Sequence, residues 1–287
     1  MRPFFLFVLL SLPAVAQSRI DCNAINSRIL HESVHYCVLL PDSYDSPAQQ
    51  TTKYPVLYFL HGLGDNEQTL VKSGGWSLIQ DLRQQHKIGE FFIVTPQAKA
   101  SFYVNSANGK VRYSDFFLQE FLPFIENGYR IQPGPRSRAI SGISMGGYGA
   151  FRFAFAYPEK FSAVSAESAA LITASPEELD DTMQSGTPLG AVFGNPINVA
   201  YWNADNPFLL AKQHRVAIGS LGIYFNCGNK DQFDFEDGAK TLDHQLDSER
   251  IKHEFHLYPG DHSASYFLSH LDEVMEFHSR EFERSAK

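Results

Sequence analysis

The chain predicts an α/β fold: a mostly parallel central sheet with helices on both faces, preceded by an N-terminal β-hairpin. Three observations carry that expectation. Apolar runs of about five to eight residues recur along the chain and alternate with helix-period segments, as strands buried on both faces require. The 287 residues, 44% of them hydrophobic, suffice for one large core. No internal repeat, low-complexity tract or long linker interrupts the pattern.

The elements follow in order. Arg2, the apolar stretch Phe4–Leu12 and the Ala14-Val15-Ala16 site read as a signal peptide covering residues 1–16. Cleavage after Ala16 leaves 17–287 as a secreted or periplasmic domain, expected to be soluble. The apolar stretch is too short to span a bilayer comfortably, and no cysteine follows the cleavage site to carry a lipid, so no membrane anchor is expected. Asn23–Tyr36 reads as a hairpin turning near Ile29–Leu30, which sets Cys22 opposite Cys37. An oxidising destination then favours a Cys22–Cys37 disulfide over two buried thiols, with Cys227 a free core residue. The hairpin's second strand is expected over Val34–Leu40. Further strands are expected at Pro55–Leu60, Phe91–Thr95, Arg138–Ile143, Ala163–Ala166, Gly222–Cys227 and His253–Tyr258, and helices at Trp76–Gln85, Tyr113–Asn127, Met145–Ala156, Gly238–Ser248 and Ser265–Arg284. Residues 171–210 break the rhythm as an insertion: Ser175-Pro176-Glu177-Glu178 looks like a helix start, and a Gly/Pro/Asn-rich stretch follows where a lid or substrate wall could form.

A net charge of −8 and a pI near 5.7 argue against nucleic acid or an anionic membrane as partner, since basic surface supplies affinity for both. The most informative stretch is Ile140–Ala150, which places Ser144 in a G-x-S-x-G pattern from Gly142 to Gly146, at the junction of an expected strand and an expected helix. A serine on such a turn sits in a strained backbone, so its flanking positions must lack a Cβ. In return, its hydroxyl faces the free N–H groups of a helix start, where negative charge is favoured.

A hydroxyl needs a base to take its proton, and the base needs a third group to orient it. Of the later histidines, His244 falls in a helical run, His253 and His256 in a strand, and His270 and His278 on the last helix. Only His262 lies just past a strand, in Tyr258-Pro259-Gly260-Asp261-His262. Asp231 similarly follows the strand ending at Cys227; Asp234 and Asp237 compete with it, and Asp261 is the weakest candidate because it adjoins the histidine. Two backbone donors are needed for a developing oxyanion: Met145 N–H, and Leu63 N–H from the loop His61-Gly62-Leu63-Gly64, with Gly62 as the next choice. His61 is expected to order that loop by hydrogen bonding. Phe102 and Tyr103, in the Ala100–Lys110 loop, are expected to line the pocket together with Gly62. His31/His35 and His253/His256 fit strand or turn roles better than zinc spacing, and no P-loop or dinucleotide fingerprint is present, so no metal or cofactor is expected.

Tyr54–Gly62 and Gly142–Ala150 together resemble the esterase D-like family of the α/β-hydrolase superfamily, which includes tributyrin-type, feruloyl and acetyl-xylan esterases and S-formylglutathione hydrolases. Glu120–Glu126, Tyr157–Phe161, Phe193-Gly194 and Asp205-Asn206-Pro207 extend the resemblance to roughly residues 20–280. It implies the α/β-hydrolase fold, a Ser144–Asp231–His262 triad, and Leu63 and Met145 as oxyanion donors. The last loop departs from the common Gly-Gly-His form, although its histidine aligns. The expected function is a serine carboxylesterase acting on short-chain or carbohydrate-linked esters, with no cofactor. A thioesterase of S-formylglutathione hydrolase type, an acyltransferase to a sugar alcohol and a non-catalytic binding protein are the rivals. Oligomeric state is not legible.

Overall fold

The computed structural model describes residues 19–179 and 188–286; the signal-peptide expectation therefore lies outside the described residues, as do positions 180–187 of the insertion. Eight strands form one sheet: β1 (Ile20–Ser27), β2 (Glu32–Leu39), β3 (Val56–Leu60), β4 (Phe92–Pro96), β5 (Arg138–Ile143), β6 (Ala163–Glu167), β7 (Gly222–Gly228) and β8 (Glu254–Tyr258). Their spatial order is β1-β2-β4-β3-β5-β6-β7-β8. The β1–β2 and β2–β4 pairs are antiparallel and all others parallel. Cys22 pairs with Cys37 across the hairpin, and the two are joined as a disulfide. Cys227 is free and buried.

Alternation along the strands sorts their side chains onto two faces. Val56, Tyr58 and Leu60 join a large aromatic core with Phe116, Phe117, Phe121, Phe151 and Phe153. These come from the helical run of residues 113–128 and from the helix that follows β5. Leu57 and Phe59 point the other way, onto Ile79, Leu82, Leu271 and Val274. Those residues belong to α1 (Gly75–Gln84) and to the long C-terminal helix Ala264–Ala286. With both faces covered, polar alternation has no place in the central strands, which explains the continuous apolar runs.

The chain reverses its direction of winding between β3 and β5, which are neighbours although β4 intervenes in sequence. Loops leaving the carboxyl ends of such strands diverge and open a crevice, the usual ligand position in an open α/β sheet. Here those loops carry His61–Leu63 and Ser144.

The insertion is more regular than its composition suggests. Pro188–Phe193, Val199–Asp205 and Pro207–Gln213 are helical, the last two capped by the Asn198 and Asn206 side chains. Ser175 to Leu179 form a turn in which Glu178 accepts the Ser175 N–H. The expected helix at Gly238–Ser248 starts three residues earlier, at Phe235.

Candidate active site

Ser144 is the N-cap of α2 (Met145–Ala156), with φ 55° and ψ −117°. A non-glycine residue holds that conformation only when its surroundings over-determine it. They do so through the end of β6: Ser144 N–H donates to Glu167 O at 2.9 Å, and Ser144 O accepts from Ala170 N–H at 3.0 Å. The flanking glycines are steric necessities, since a Cβ on Gly146 would sit 2.0 Å from Leu60 O and one on Gly142 2.3 Å from Gly146 C. Met145 opens α2, so its N–H is among those a helix cannot pair internally.

His262 and Asp231 meet across the loops that follow β8 and β7. Asp231 Oδ2 and His262 Nδ1 are 2.7 Å apart, and the Asp231 side chain is fully buried. Its other oxygen accepts Phe233 N–H at 2.9 Å. Gln232 grips the histidine backbone, accepting His262 N–H at 3.0 Å and donating to His262 O at 3.4 Å. Phe233, Phe235 and Phe267 enclose the imidazole edge-on at centroid distances of 5.0, 5.5 and 5.2 Å. The ring is thereby fixed with Nδ1 toward the acid, which leaves Nε2 as the nitrogen available to a hydroxyl. Burial pushes the neighbouring Cys227 thiol up to about 12, so it stays protonated beside Asp231 at neutral pH.

Most of the competing groups are engaged elsewhere, although Asp234 and Asp237 line a compartment that also borders Ser144. His253 pairs with Asp243 at 2.9 Å, His270 stacks on Tyr258 and His278 is buried against Ser165. Asp237 contacts Lys240, and Asp261 accepts from Ser263. Asp234 adopts a left-handed conformation as the N-cap of α3 (Phe235–Ser248).

Two compartments meet at Ser144. The larger, about 660 Å³, is lined by Phe102, Met145, Leu171, Leu189, Phe233 and Phe235 among others. The smaller, about 200 Å³, lies over Phe59, Gly62, Ile143, Glu167, Phe267 and Leu271. Leu63, Ser144 and His262 line both.

Tyr103 requires a correction, because it is fully buried and lines neither compartment. Phe102 and Tyr103 both have positive φ, and this local reversal sends their rings apart. Phe102 faces the larger compartment, whereas Tyr103 packs over Gly149 and donates its hydroxyl to His61 O at 2.9 Å. His61 completes this support. Its Nε2 accepts Ala98 N–H at 2.9 Å, which puts the proton on Nδ1 for donation to Gly62 O at 2.7 Å. Burial lowers its pKa and keeps it neutral. The Ala100–Lys110 loop otherwise borders a separate cavity of about 300 Å³, with Leu30, Val34 and Val192.

Sequence reasoning missed Gln232, Phe233, Phe235 and Glu167. None of the four carries a local signal in the sequence that singles it out.

Comparison with known proteins adds the family. The profile of the family described as "Putative esterase" matches residues 27–278. The chain belongs to this esterase family. An esterase of Mycobacterium tuberculosis is 28% identical over 256 residues, covering 82% of this chain and 54% of its own length. The chain thus spans about half the length of the first curated relatives that it matches. An acetyl esterase of Caldicellulosiruptor saccharolyticus is 24% identical over 262 residues, covering 88% of this chain and 96% of the relative. Among solved structures, a ferulic acid esterase superposes with a TM-score of 0.80 at 26% identity, covering 93% of this chain and 99% of that one. The S-formylglutathione hydrolase of Staphylococcus aureus, at 21% identity and TM-score 0.69 over 92% of this chain and 98% of that one, shares the fold. This esterase-family chain has the α/β-hydrolase fold.

Proposed function

We propose that this chain is an exported serine carboxylesterase that works through an acyl-enzyme on Ser144. The Ser144 hydroxyl attacks the ester carbonyl while His262 Nε2 takes its proton. Asp231 holds the imidazole in the required tautomer and stabilises the imidazolium. Met145 and Leu63 N–H groups receive the oxyanion. The carbon–alkoxy bond then breaks, and the departing alcohol takes the proton from His262. Water, deprotonated by the same nitrogen, attacks the acyl-enzyme and releases the acid together with free Ser144.

The buried Asp231–His262 pair, at the rim of a cleft that also holds the strained Ser144, is the observation that carries this reading. Membership of an esterase family agrees with it. The apolar, aromatic larger compartment suits an uncharged ester, and likeness to acetyl and ferulic acid esterases favours short-chain or carbohydrate-linked substrates. Export rests on the sequence of residues 1–16, and the Cys22–Cys37 disulfide supports an oxidising destination.

A panel of acetyl, butyryl and feruloyl oxygen esters beside matched thioesters tests the reading. Turnover of oxygen esters is expected; turnover confined to thioesters, or none, contradicts it.

A further inference from the structure

Glu167 ends β6 opposite Ile143 of β5 and lines the smaller compartment. It is 1% exposed, and neither carboxyl oxygen has a hydrogen-bond partner among the described residues. The side-chain amide of Asn226, its register partner on β7, approaches the carboxyl as a weak donor without good hydrogen-bond geometry, which lowers the pKa, while it also bonds to Tyr224 and Tyr266. Burial, reinforced by Glu273 and Asp272, raises the Glu167 pKa well above the usual carboxylate value, which favours the protonated, neutral form. A buried donor and acceptor left unmet destabilises the fold, and an apolar residue of the same size would avoid that cost.

The two compartments share Ser144, His262 and Leu63 and diverge from there. On the esterase reading, a carbonyl carbon bonded to Ser144 Oγ carries two substituents that point apart, one toward each compartment. The half that leaves early suits the larger compartment, whose rim carries the exposed Phe233. The half that stays on Ser144 suits the smaller one, whose volume equals that of about seven waters.

We propose that the smaller compartment is an acyl subsite in which Glu167 recognises a neutral hydroxyl on a short acyl chain. A carboxylic acid both donates and accepts, and so can satisfy a hydroxyl at both of its atoms. No lysine or arginine lines this compartment among the described residues, so an anionic acyl group finds no counter-charge there.

The test compares kcat/KM for p-nitrophenyl butyrate with its 2- and 3-hydroxy derivatives. Wild-type protein is expected to favour at least one hydroxylated substrate by about tenfold, the scale of one net hydrogen bond. Glu167→Gln keeps a donor and an acceptor and is expected to retain most of that preference. Glu167→Met is expected to abolish it without lowering the Tm at pH 8. The inference is overturned by a wild-type enzyme with no preference, or by Glu167→Met with the preference intact. A preference tracking a hydroxyl on the alcohol half, read from ethyl butyrate against 2-hydroxyethyl butyrate, also overturns it. Should Glu167→Met not fold, the wild-type ratios and Glu167→Gln still decide. Absence of wild-type hydrolysis of every ester sinks the esterase reading itself, whereas hydrolysis without preference sinks only this inference.

Discussion

Asp231 Oδ2 lies 2.7 Å from His262 Nδ1, in a pocket that gives the aspartate no solvent exposure and a second hydrogen bond from Phe233 N–H. A buried carboxylate held on both oxygens is a fixed electrostatic partner. Asp231→Asn keeps the shape and turns a donor toward Nδ1, which forces the imidazole proton onto Nε2, facing Ser144. On the triad reading, kcat for p-nitrophenyl butyrate should fall about 10⁴-fold, as for other triads losing the acid's charge, with KM little changed. Steady-state kinetics on the folded variant check this.

The support beneath Leu63 should matter to rate more than to affinity. Tyr103→Phe removes one hydrogen bond to His61 O without opening a cavity. Loss of a single neutral bond is worth about 1 kcal/mol in stability. A loosened donor loop should lower kcat about tenfold, less than the hundred- to thousandfold known for outright loss of a donor. An unchanged kcat beside a lowered Tm would assign Tyr103 to packing alone.

Two buried groups set opposite pH dependences of stability. His278 is fully buried, and burial lowers its pKa from 6.5 to about 3. Unfolded chains take up a proton below pH 6.5 that the native state refuses, so stability is lost as pH falls from 6.5 toward 3, at up to about 1.4 kcal/mol per pH unit. Glu167 has the opposite sign. Its raised value means that the native state keeps a proton the unfolded chain releases above about pH 4.3, so stability is lost as pH rises from there. Denaturant titrations across pH 4–9 should show the acid limb flattened in His278→Gln and the alkaline limb flattened in Glu167→Gln.

The Cys22–Cys37 bond closes a 15-residue separation at the sheet edge, away from the cleft. Chain-entropy arguments assign such a loop about 3 kcal/mol. The Cys22→Ser/Cys37→Ser double variant should melt on the order of 5–10 °C lower. Ester hydrolysis at 25 °C should be unaffected, because neither cysteine nor its strand partner touches Ser144. Calorimetry and initial rates measure the two effects separately.

Much of this architecture is legible in the residues. Strands buried on both faces must be apolar throughout, so runs such as Pro55–Leu60 and Gly222–Cys227 announce themselves to within a residue or two of β3 and β7. The placement of Ser144 on the elbow is legible because that turn demands glycines at fixed offsets, and the Asp231–His262 pairing because each lies a few residues past a strand. Tyr103 misleads because two successive left-handed residues turn it under the loop, a conformation its side chain does not announce. Asn206-Pro207 reads as loop composition, yet Asn at the N-cap and Pro at the first turn are also the residues that start a helix. Glu167 stays hidden for a different reason. Its surroundings come from β5, β7 and the C-terminal helix, whose convergence on one point is a property of the sheet order rather than of any local pattern.

The most direct test of the central claim is covalent. Wild-type protein treated with a fluorophosphonate probe and weighed by intact-protein mass spectrometry is expected to gain one adduct per chain, in parallel with loss of p-nitrophenyl butyrate hydrolysis. Folded Ser144→Ala is expected to gain none and to hydrolyse nothing above background. Labelling of Ser144→Ala at the wild-type rate, or its near-native turnover, would contradict the assignment of Ser144 as the nucleophile.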